Sequence, residues 1–150
     1  MKKEILKGLT MVMLTVVLAL VSAVASANAQ SSNRVVASIP FEFVVGGQTM
    51  PAGEYVATAS TQNGALRILS ADAKSSAIRL TNSIEPQRNK TNARLVFHRY
   101  GERYFLAEVW SGSDSAGCQL LKSRQERATE RELASISTRF ETIEVLAKAR

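Results

Sequence analysis

The chain has 150 residues, a formal net charge of +6 at neutral pH, one histidine and one cysteine. A lone cysteine excludes an intramolecular disulfide, and one histidine with one cysteine excludes the usual zinc ligand sets. The basic and acidic side chains are interspersed, which argues against a nucleic-acid partner and for no more than a weak preference for anionic polymers.

Residues 1–29 begin with Lys2, Lys3 and Lys7, run through an apolar stretch from about Leu9 to Ala25, and end on the small residues Ala27 and Ala29. This three-part pattern predicts a secretory signal peptide cut before Gln30. An uncleaved anchor is the alternative, since roughly 17 apolar residues is the lower limit of a membrane span. Without this segment 16 basic and 12 acidic side chains remain, a net charge of +4. The expected product is exported, periplasmic or extracellular, has no membrane span, and is large enough to bury a core without disulfide staples. Cys118 is then read as a small buried residue or as a site of intermolecular pairing.

From Arg34 to Val45 the odd positions Val35, Ala37, Ile39, Phe41, Phe43 and Val45 are apolar. That period of two predicts a half-buried strand with its odd residues inward, and Pro40 places it at an edge or a bulge. GGQTMPAGEY reads as turns, with a strand pattern after it rather than the helix a phosphate-binding loop requires. Asn63-Gly64 predicts a two-residue hairpin turn between strands at 54–61 and 65–70. A further alternation places a strand near 76–82, and IEPQRNKTN is a polar surface loop.

Residues 94–110, RLVFHRYGERYFLAEVW, hold His98, Trp110 and five of the nine aromatic residues of the chain. A turn at Gly101-Glu102 predicts a hairpin pairing Tyr100 with Arg103, His98 with Phe105, Phe97 with Leu106 and Leu95 with Glu108. Both faces of that hairpin are largely apolar, so both must be covered. The expected cover is the C-terminus. Ser123-Arg124-Gln125-Glu126 has capping-box spacing, and Leu133, Ile136, Phe140, Ile143 and Ala147 recur at steps of three and four, predicting one amphipathic helix over 123–150. Its stripe of Leu133, Ile136, Phe140 and Ile143 packs on the sheet or meets a partner.

Catalytic and metal chemistry find little support. A metal site from His98, Glu108 and Asp114 fails because the predicted pairing puts His98 and Glu108 on opposite faces. GSDSAG, residues 112–117, reads as a loop rather than a serine-nucleophile site, and the scattered glutamates show no feature that would raise one acid over another. No catalytic, metal or cofactor residues are expected. The remaining candidate is a ligand or partner surface at the hairpin tip, Arg99, Tyr100, Arg103 and Tyr104, where guanidinium and aromatic groups would stack on sugars or grip acidic groups.

The blocks IPFEFVVGGQTMPAGEY and LVFHRYGERYFLAEVW, in that order and followed by GCQLLKSRQERATE, resemble an uncharacterised family of small exported β-rich proteins of acidobacterial type. The resemblance spans roughly residues 35–130 and implies an exported domain with no catalytic residues to carry over. The expectation is a mainly β chain in three parts. They are a signal peptide (1–29), a small antiparallel sandwich or barrel of about six or seven strands (30–122), and a C-terminal helix (123–150). Its expected role is a non-catalytic envelope or secreted binding module whose partner is an envelope protein or an anionic polysaccharide. The alternatives are a small hydrolase of envelope polymers and a self-assembling structural surface component.

Overall fold

The computed structural model describes residues 33–60, 64–86, 91–112, 116–134 and 140–149. The expected signal segment, Asn63, Asp114 and Ile136 lie outside the described residues. Among the described residues are eleven strands and one helix: β1 (Asn33–Ile39), β2 (Phe43–Val45), β3 (Gln48–Met50), β4 (Gly53–Ser60), β5 (Ala65–Ser70), β6 (Ser76–Ile84), β7 (Arg94–Tyr100), β8 (Arg103–Trp110), β9 (Gly117–Leu120), α1 (Arg124–Ala134), β10 (Glu141–Leu146) and β11 (Lys148–Ala149). The chain is mainly β with one helix towards its C-terminus, as its alternating pattern predicts. The strand number exceeds six or seven because β2, β3, β9 and β11 are only two to four residues long.

The strands form one sheet with the hydrogen-bonded order β10-β7-β8-β9-β6-β5-β4-β1-β11. The two ends of that open path are consecutive pieces of one segment. β10 pairs antiparallel with β7, β11 pairs antiparallel with β1, and between them Ala147 N donates to Ala93 O at 2.9 Å. The sheet therefore curls until residues 141–149 bridge its two edges. A curled antiparallel sheet with one face inward needs alternating side chains, and β1 and β4 supply them: Val35, Ala37, Ile39, Tyr55, Ala57 and Ala59 are buried while their neighbours are not. The core adds Leu66 and Ile68 from β5 and an aromatic cluster in which Phe43 meets Tyr55 and Phe97 edge-on at 5.1 and 5.5 Å. Cys118 is buried in this core, and burial pushes its thiol pKa up.

Pro40 breaks the first predicted strand in two. β1 stops at Ile39, and the chain resumes as β2, which forms a tight hairpin with β3 across Gly46 and Gly47, both at positive φ (57° and 95°). β2 is buried throughout: Phe43 and Val45 enter the main core, whereas Val44 pairs in parallel with Phe105 and joins a second apolar cluster. The β4–β5 connection is longer than a two-residue turn, since Ser60 pairs with Ala65. On β6 the alternation runs opposite to an inward apolar face. Ala77 is buried, whereas Ile78 and Leu80 stand 62% and 71% exposed.

Two corrections concern the hairpin and the tail. The β7–β8 pairing follows the prediction from the turn to Phe97–Leu106, then shifts at a bulge between Val96 and Phe97. Ala107 is the extra residue, so Leu95 faces Val109 rather than Glu108, and Val96 faces Glu108. An inserted residue reverses the alternation beyond it, which sends Val109 into the core and Trp110 to the other face beside Arg94, whose guanidinium lies 4.7 Å from the indole centroid. The bulge also places Glu108 on the His98 face, against the prediction; its carboxylate accepts a hydrogen bond from Trp110 Nε1 at 2.8 Å.

The expected helix over 123–150 is the second correction. α1 covers Arg124–Ala134, and residues 141–149 are strands. Apolar residues at 143 and 147 fit a helical step of four and a strand step of two equally well. Val145 completes the period of two, Thr142, Ile143 and Val145 are β-branched, and Ile143, Val145 and Ala147 pack against the core from β10 and the residue after it.

Candidate functional site

The β7–β8 hairpin has two covered faces, and the chemistry-bearing residues divide between them. The main core takes one face; α1 covers the other, where Leu133 packs against Val44, Tyr100 and Phe105. The predicted cover is thus found, but most of the buried face of this helix is polar. Glu126 and Thr129 are its buried residues, each 4% exposed.

Half of the predicted capping box forms. Ser123 Oγ accepts from Glu126 N at 3.0 Å. The Glu126 carboxylate turns to the sheet instead: Oε1 accepts from His98 Nδ1 at 2.9 Å and, more weakly, from Tyr100 OH at 3.4 Å. A buried carboxylate needs such partners, and its place in the first turn of α1 adds the favourable helix dipole. Burial and then the Glu126 charge raise the Tyr100 phenol pKa above its ordinary value. Nearby, Lys122 Nζ holds Glu130 Oε1 at 2.7 Å, and that hydrogen bond is the main cause raising the Lys122 pKa. Phe140 closes the cluster, its ring 4.4 Å from that of His98 and 5.6 Å from that of Tyr100.

The four predicted tip residues do not make one surface. Alternation places Tyr100 and Arg103 on the α1 side, where Tyr100 is buried and Arg103 NH1 donates to Thr129 Oγ1 at 3.2 Å. Arg99 and Tyr104 face the other way. Tyr104 stacks on Phe41 with centroids 3.9 Å apart, and the Arg99 guanidinium lies 5.6 Å from the Tyr104 ring while donating to Gly101 O and to Glu141. Nor is the predicted helical stripe one surface: Leu133 packs on the sheet from α1, Phe140 lies between elements, and Ile143 packs inward from β10.

A groove of about 380 Å³ opens beside the tip. The segment before and along β2 supplies Phe41, Glu42 and Val44, β3 supplies Thr49, the tip supplies Glu102, Arg103 and Tyr104, and the first turn of α1 supplies Gln125. The Phe41–Tyr104 stack fixes one wall, and Thr129 holds the Arg103 guanidinium in place. Among the described residues no three His, Cys, Asp or Glu side chains converge to hold a metal ion.

Set against protein-family models, curated proteins and solved structures, the chain matches none of them. The functional reading therefore rests on residues and geometry. Of the groove residues, Arg103 and Tyr104 were accessible to sequence reasoning, because they flank the hairpin turn. Glu42, Thr49 and Gln125 were not, since they reach the groove only through the parallel contact of β2 with β8 and the docking of α1.

Proposed function

We propose that this chain is an exported, non-catalytic binding module of the envelope or secreted fraction, related to the acidobacterial-type proteins its two motif blocks resemble. The carrying observation is the groove beside the hairpin tip, whose polar groups stand on a braced framework: Arg103 is tied to Thr129 and Tyr104 to Phe41. Such pre-organisation lowers the ordering cost of binding. The non-catalytic part of the reading is supported by the work His98 already does. Its Nδ1 holds the buried Glu126 and its ring lies against Phe140, so it serves as a clamp for α1.

Export predicts a mature protein that begins at Gln30, checked by intact-mass measurement of the exported species. Binding predicts that the purified protein co-sediments with envelope polysaccharide or protein and releases no product from it. Turnover of an envelope polymer that is abolished by His98→Gln, with the fold unchanged by circular dichroism, would overturn the non-catalytic reading in favour of the hydrolase.

A further inference from the structure

The geometry points to an uncharged, hydroxyl-rich ligand, a segment of neutral saccharide, as the occupant of the groove between β2 and the hairpin tip; this rests on the binding-module reading above. A saccharide hydroxyl both donates and accepts, so a site for it must offer both kinds of group. Here the carboxylates of Glu42 and Glu102 accept, the Arg103 guanidinium donates, and the Thr49 hydroxyl and Gln125 amide do both. All five are solvent-exposed, hence hydrated and exchangeable when the groove is empty.

Charge decides against the alternatives. A polyanion would meet two carboxylates and a single guanidinium, and Arg103 already spends one nitrogen on Thr129. A cationic ligand would compete with Arg103 itself and with Arg99, which lies 3.9 Å from Glu102. With each carboxylate matched by a nearby guanidinium, the groove is close to neutral. Its volume falls in the ~300–1,000 Å³ range of small-molecule clefts, and the Phe41–Tyr104 wall supplies apolar contact for the C–H faces of a sugar ring.

The test presents the full chain to immobilised neutral oligosaccharides (β-glucan, xylan, mannan and chitin fragments), to polygalacturonate and heparin, and to envelope protein. The expected result is retention on at least one neutral oligosaccharide, weakened about tenfold by Gln125→Ala and by Glu42→Gln, one lost hydrogen bond each, and unchanged by Arg67→Ala on β5. Retention on a neutral oligosaccharide that neither groove variant weakens overturns the assignment. Retention only on an acidic glycan or a protein, sensitive to the same variants, overturns the saccharide class while the binding module stands. No retention on any probe overturns both.

Discussion

Glu126 carries the most consequential side chain in the molecule, because it joins α1 to β7 through His98 and Tyr100. Truncating one member of a buried hydrogen-bonded pair strands the other, so Glu126→Ala should cost about 2–4 kcal/mol in urea unfolding. Glu126→Gln, which keeps an acceptor, should cost less. Gly117 is constrained in another way: a Cβ there would lie 2.7 Å from the Trp110 indole. Overpacking predicts that Gly117→Ala loses about 1–3 kcal/mol, with a change in tryptophan fluorescence. A third prediction concerns alkali. Tyr100 and Tyr55, both raised by burial above the ordinary 10.0, and Lys122, raised above 10.5 chiefly by Glu130, all hold protons more tightly when folded. The unfolded chain releases those protons first, so stability should be retained below about pH 10 and fall as pH rises beyond it. The denaturation midpoint measured against pH should fall less steeply in Tyr100→Phe.

At the scale of elements, β10 and β11 matter more than their length suggests. They bridge the sheet edges β7 and β1, and Ile143 and Val145 pack against the core. Truncation after Ala134 should therefore abolish cooperative thermal unfolding by circular dichroism, whereas a dispensable tail would leave the transition intact. This segment also shows where sequence reasoning reached its limit. β1, β4, β5 and the turn-proximal half of the β7–β8 hairpin were legible because local alternation and turn glycines specify them. The strand state of 141–149 was not, because its apolar spacing fits two periods and only pairing with a distant strand decides between them. The bulge at Ala107 has no local signature, and missing it misplaced Glu108, Val109 and Trp110. The polar docking face of α1 was hidden by the same logic: Glu126 and Thr129 look like solvent-facing residues until His98 and Arg103 are brought opposite them.

Across the whole molecule, the concentration of rare residues in 94–110 resolves into structural work on two faces. His98 clamps α1, Trp110 packs beside Arg94, and Phe97 and Phe105 fill separate apolar clusters. The surface left for recognition is the groove where β2, β3, the hairpin tip and α1 meet, and its formation depends on α1 staying docked. Loosening the Glu126–His98 clamp should therefore weaken ligand retention even though neither residue lines the groove. The most direct test of this account is amide chemical-shift mapping of the isotopically labelled protein during titration with the retained oligosaccharide. The account predicts perturbations confined to residues 41–44, 49, 102–104 and 125; perturbations centred on the exposed Ile78 and Leu80 face of β6, with the groove silent, would contradict it.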